Sequence, residues 1–165
     1  MNKPFVIFLV LGLLSVAGYL GFFMNATKGS RLRLEGKILS VHVSGLSGSP
    51  ATIVAMDVRI TNTSDVPFVA GSATIRVEPA AGEPMEVVTM GRPDLEQMFQ
   101  YLPELGPKVN PFLGAQDRIA GRQALVRTLG ARINVLPDVI QSRKGLVLRL
   151  EDVDGAIVEI REGRR

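Results

Sequence analysis

The sequence predicts a mainly β protein: an N-terminal transmembrane helix followed by an antiparallel β-sandwich with a short helical insertion. Three observations predict it. The stretch from Pro4 to Met24 is uncharged and apolar, later segments alternate apolar and polar residues with a period of two, and breakers rich in Gly, Pro, Ser and Asn separate those segments. With 165 residues, 46% hydrophobic and 21% charged, the chain has the composition of a globular domain large enough for its own core. Its organisation reads as an anchor over 1–24, a small polar linker over 25–30 (NATKGS) and a β-sandwich domain over 31–165.

The first element is justified by length. As a helix, Pro4–Met24 extends roughly 31 Å at 1.5 Å per residue, which matches a hydrocarbon core of about 30 Å. Phe5 and Phe8 at one end, with Tyr19, Phe22 and Phe23 at the other, suit the two interfacial zones. Ala17 and Gly21 form a small-xxx-small pair, a candidate helix-packing face within the membrane. The rival reading is a cleaved signal peptide, with Lys3 before an apolar core over Phe5–Leu14 and Ser15-Val16-Ala17 as the cleavage site. The apolar run continues well past Ala17, which favours an uncleaved anchor. Lys28, Arg31, Arg33 and Lys37 lie just beyond it, and a simple charge count would keep the C-terminal domain in the cytoplasm. That rule weakens for long translocated domains, and an export-type signal before a β-rich domain favours an extracytoplasmic placement, on the periplasmic side if the chain is bacterial.

The strands follow in order. Leu39, Val41 and Val43 alternate with Ser40 and His42; Val54, Met56, Val58 and Ile60 alternate with Asp57, Arg59 and Thr61; Ala73, Ile75 and Val77 alternate with Thr74, Arg76 and Glu78. The breakers between them are 45–50 (GLSGSP), 62–67 (NTSDVP) and 79–84 (PAAGEP). Leu146–Leu150 and Ala156–Ile160 flank an Asp-Val-Asp-Gly turn in which Gly155 supplies a positive φ, a hairpin signal. Leu95, Met98, Phe99 and Leu102 fall at helical spacing and Pro103 ends that run. The rest of Pro93–Pro111 reads as ordered loop. Arg118–Val135 is ambiguous, with Leu125–Thr128 a candidate strand within it, and 137–144 is open between short helix and turn.

Few residues offer chemistry. The absence of cysteine removes disulfides, thiolate metal sites and cysteine nucleophiles, and His42 is the one histidine. It sits on the polar face of a predicted strand with no partner cluster, which reads as a surface residue. Asp152 and Asp154 resemble the start of a calcium loop, but a turn explains them without further ligands. No G-x-S-x-G elbow and no P-loop is present. Asn25-Ala26-Thr27 and Asn62-Thr63-Ser64 fit the glycosylation sequon. A net charge of +3 with interspersed signs, and 5% aromatics lying mostly before Asn25, argue against nucleic-acid binding. No catalytic, cofactor-binding or metal-ligating residue is therefore assigned, and no cofactor is expected. The Leu95/Met98/Phe99/Leu102 stripe has two readings: a helix that caps an open end of the sandwich, which is preferred, or a docking face for a partner or for the membrane surface.

Val58-Arg59-Ile60-Thr61-Asn62-Thr63-Ser64-Asp65-Val66-Pro67 has the form strand, Thr-Asn, polar turn, Pro. It resembles the signature strand and turn of immunoglobulin-like sandwich domains of the late-embryogenesis-abundant type 2 class, and of small membrane-anchored bacterial domains of unknown function. A Gly-containing strand over Val69–Val77 and a closing hairpin at Asp152–Gly155 extend the likeness; the helix and prolines of Pro93–Pro111 depart from it. The resemblance implies binding, scaffolding or assembly rather than catalysis. The expected function is a non-enzymatic interaction module in the envelope, tethered through residues 4–24. The alternative is an accessory single-pass subunit of a membrane protein complex, and a third reading is an enzyme using scattered carboxylates.

Overall fold

The structure, a computed structural model, describes residues 12, 15, 16, 18, 19 and 32–163. The chain divides into two units, Met1–Arg31 and Leu32–Arg165. In the first, Gly12, Ser15, Val16, Gly18 and Tyr19 are helical. Among the described residues no helix is long and apolar enough to cross a membrane. The rest of the predicted span over 4–24, with Ala17 and Gly21, lies outside the described residues.

The second unit is mainly antiparallel β. Its elements are β1 (Leu34–Gly45), β2 (Thr52–Asn62), β3 (Phe68–Glu78), β4 (Met85–Val88), helix α1 (Arg92–Tyr101), a 3-10 turn (Pro103–Leu105), β5 (Arg118–Ile119), β6 (Ala124–Ile133), helix α2 (Pro137–Gln141), β7 (Gly145–Asp152) and β8 (Ile157–Arg161). One sheet has the order β1-β2-β6; the other runs β4-β3-β7-β8, with β5 on β3 as well. Their inner faces meet in one core. Ile38, Val54, Met56, Val58, Ile60, Leu129, Ala131 and Ile133 come from the first sheet. Phe68, Ile75, Val77, Leu146, Leu148, Leu150 and Ile160 come from the second. Burial of this apolar surface is the main stabilising term.

Two bulges change the phase of the pattern. β1 shifts register between Ile38 and Ser40, and β3 between Ala70 and Ser72. In β1 the extra residue turns Leu39 outward, 45% exposed, while Ile38, Val41 and Val43 pack on the core. This corrects the expectation that Leu39, Val41 and Val43 share one face. In β3, Phe68 and Ala70 point inward before the bulge, and Ala73, Ile75 and Val77 after it. β6 is far longer than the Leu125–Thr128 segment left open by the sequence. The 137–144 stretch holds α2, and the closing hairpin forms as expected, with Gly155 at φ +84°.

α1 begins where Gly91 is extended, has a proline in its first turn and carries Asp94 there, all favourable to an N-terminus. It does not cap an open end. It lies across the outer face of the β1-β2-β6 sheet, where Leu105 is buried with Ile53 and Ala55, and Met98, Phe99 and Leu102 pack against them. Leu95 is 1% exposed and sits over Gly130 of β6, where a Cβ would come within 2.5 Å of its side chain.

Candidate functional site

The stripe read first as a cap and second as a docking face packs against the chain's own sheet. Leu95 is buried, and Met98, Phe99 and Leu102 are half-buried against β2 and the 3-10 turn. Phe99 also meets Phe112, with ring centroids 5.5 Å apart. The outward side of α1 carries Asp94, Glu96, Gln97 and Gln100.

Strand register explains the polar side chains on the same face. Residues in register across the three strands form rows: Ser44, Ile53 and Arg132; His42, Ala55 and Gly130; Ser40, Asp57 and Thr128; Lys37, Arg59 and Val126. In the third row Asp57 accepts hydrogen bonds from Ser40 Oγ at 2.9 Å and Thr128 Oγ1 at 2.5 Å. Burial alone would push the Asp57 carboxyl up, but the hydrogen bonds from Thr128, Asn110 and Ser40, with the nearby His42, together hold it below the ordinary carboxylate value. His42 is half-buried one row on, with Gly106 above it, where a Cβ would stand 4.0 Å from the ring. Gly106 takes φ +78°, the left-handed turn that brings the chain back over this face after the 3-10 helix. In the first row Ser44 Oγ donates to Glu104 at 2.5 Å, tying the 3-10 turn to β1.

Two sequence motifs prove to be turn devices. Asn62 is fully buried; its Nδ2 donates to the carbonyls of Val66 and Ile119, and its Oδ1 accepts from the N–H and hydroxyl of Ser64. The Asn62-Thr63-Ser64 triplet is thus a buried Asx network and not an accessible sequon. Asp152, 7% exposed, accepts from the N–H of Val69 through Oδ2 and from that of Asp154 through Oδ1. One carboxylate oxygen holds the hairpin turn and the other ties it to β3.

One groove opens beside β1, with a volume of about 510 Å³. Val41, His42 and Val43 line one side. Glu104 of the 3-10 turn and Lys144, on the approach to β7, also line it. Arg143 and Glu162, also in the lining, form a two-pronged ion pair in which Nε donates to Oε2 at 2.8 Å and Nη2 to Oε1 at 2.5 Å. Both side chains are largely buried, at 11% and 20%, so this pair is worth more than an exposed one. Sequence reasoning singled out His42 but missed Lys144 and the Arg143–Glu162 pair. Their only signal is the basic doublet after α2, which has no meaning until register places it beside β1.

No protein-family model matches the chain, and no curated protein matches it. Among solved structures, a Bordetella pertussis protein that bears the name ApaA is similar over 81% of this chain and 91% of its own, at 16% identity and a TM-score of 0.41. A second, a structural-genomics target, is similar over 82% of this chain and 83% of its own, at 11% identity and a TM-score of 0.37. Neither likeness bears on activity or site.

Proposed function

We propose that the chain is a membrane-tethered, non-enzymatic interaction module: an immunoglobulin-like β-sandwich that stands outside the cytoplasm and holds a protein partner in the envelope. One observation carries this reading. The polar groups Asp57, Asn62, Asp152 and Glu162 are each committed to hydrogen bonds that tie strands, turns and sheet ends of the chain itself. The features with spare capacity are surfaces. The uncharged Pro4–Met24 stretch supplies the tether.

The test has two arms. With a C-terminal tag on the chain, protease added to spheroplasts or sealed vesicles is expected to remove the tag, whereas protection until lysis overturns the extracytoplasmic placement. Cross-linking in intact membranes followed by purification is expected to recover one protein in amounts comparable to the chain. Recovery of no such partner overturns the interaction reading. In the accessory-subunit version, favoured by the small-residue spacing of Ala17 and Gly21, replacing both by Leu weakens that association; unchanged recovery overturns it.

A further inference from the structure

We infer that the groove beside β1 binds an extended, carboxylate-bearing peptide, which adds to the β1-β2-β6 sheet as a further strand over Val41–Val43. This rests on the interaction-module reading and names its surface and the chemistry of its partner.

The backbone supplies the first part. β1 is an edge strand, paired with β2 alone among the described residues. Beyond its end, the N–H of Leu46 bonds to the carbonyl of Ala51, so Leu46 faces β2. Alternation in an antiparallel ladder then turns Ser44, His42 and Ser40 toward β2, and the N–H and C=O groups of Val43 and Val41 away from it. Those outward groups border the groove. Near its start, β1 approaches β8: a Cβ on Gly36 would come within 2.1 Å of the Ile160 side chain. The seam between the two sheets is closed there and open at Val41–Val43. Unpaired strand edges of this kind accept peptides by strand addition, main-chain bonds giving affinity and side-chain pockets giving selectivity.

Charge supplies the second part. Arg143 is already neutralised by Glu162. Lys144 is exposed and has no carboxylate within ion-pair distance among the described residues. Glu104, held by Ser44, repels an anion from its own wall. A peptide carboxylate therefore has one favourable position, beside Lys144, and that position sets the direction in which the peptide lies.

The experiment selects a displayed library of random heptapeptides on the 165-residue chain in detergent micelles. Selected peptides are then measured against two variants. Lys144→Glu reverses the free charge; Val41→Pro removes an outward N–H at an edge position where proline is tolerated. The expected result is enrichment of Asp or Glu at one peptide position, with affinity falling about tenfold or more in each variant. Intact far-ultraviolet circular dichroism and an unchanged melting profile confirm folding, and Lys144→Gln, an exposed neutral change, gives a second reading where Val41→Pro fails to fold. Peptides that bind both Lys144 variants as tightly as the parent overturn the groove while leaving the interaction module standing. No selected peptide overturns the groove, and the cross-linking arm above then decides the module separately. A concentration-dependent dimer abolished by Val41→Pro identifies the occupant as a second copy of the chain and also overturns the proposal.

Discussion

Along β2, the residues from Thr52 to Met56 are buried on both sides of the sheet, whereas from Asp57 onward the outer side opens to solvent at Asp57, Arg59 and Thr61. The strands, the partners and the inner core are the same in both halves. What differs is the cover: α1 and the 3-10 turn lie over Ile53 and Ala55 and stop short of the Asp57 row. The covered half behaves as a second, small hydrophobic core, and the open half as an ordinary polar sheet surface. Sequence follows cover. Ile and Ala stand outward beneath the helix, Arg and Thr beyond it, and Ser40, Asp57 and Thr128 form a hydrogen-bonded border between them.

Removing the centre of the cover gives the largest effect. Leu95→Ala empties a fully buried site against Gly130 and is expected to cost about 2–4 kcal/mol by denaturant unfolding. Amide exchange in α1 should accelerate while β3 and β7 keep their protection. A loss below about 1 kcal/mol would show that the helix contributes little to the covered half. The reciprocal change is Gly130→Ala. Its new Cβ meets Leu95 at 2.5 Å and the Val54 carbonyl at 3.1 Å, and the expected cost is about 1–3 kcal/mol. Combined with Leu95→Ala, the two should be clearly non-additive, because the cavity left by one takes up the methyl of the other.

The same contrast explains how much was legible in advance. β2 and the closing hairpin could be read because their alternation runs unbroken, and the core side of β2 matches the predicted set Val54, Met56, Val58 and Ile60. β1 was misread in phase, since Leu39 adds a residue and flips the face of everything on one side of it; β3 carries the same device at Gly71, ahead of the predicted face of Ala73, Ile75 and Val77, which the structure keeps. β6 was left ambiguous; Gly130 interrupts its apolar pattern, and the Leu95 side chain and the Val54 carbonyl crowd the space where a Cβ would stand. The helical stripe was visible, but which surface it covers depends on β2 and β6 lying side by side, and local spacing carries no such information. The groove was the least legible part. Its walls come from β1, the 3-10 turn, the segment after α2 and the end of β8, joined only by long-range register.

At the border row, Asp57→Asn keeps the shape but loses the charge that draws both hydroxyls, and is expected to cost about 1–2 kcal/mol at neutral pH. The carboxyl is held lower in the folded chain than its ordinary value of 3.8, so the unfolded state binds the proton more readily. Its contribution is therefore complete above that ordinary value and is lost as pH falls through it toward the lowered folded value. Urea unfolding of both proteins from pH 7 downward should show the gap between them narrowing in the acid range and constant above it. A gap that does not change with pH would mean that shape, and not charge, holds this row.

The smallest effect belongs to the open half. Arg59 is exposed, stands directly opposite Lys37 on β1 and Val126 on β6, and has Glu35 diagonally across the β1 ladder. Repulsion from Lys37 and attraction to Glu35 oppose each other, and both are screened by water and salt. Arg59→Ala should change stability by less than about 0.5 kcal/mol in either direction, at low and at high salt alike. That outcome against the loss at Leu95, on neighbouring strands of one sheet face, would isolate the cover as the cause of the difference. A loss at Arg59 as large as that at Asp57 would instead mean that the open half is itself covered in the folded protein, and would draw attention to whatever lies over it.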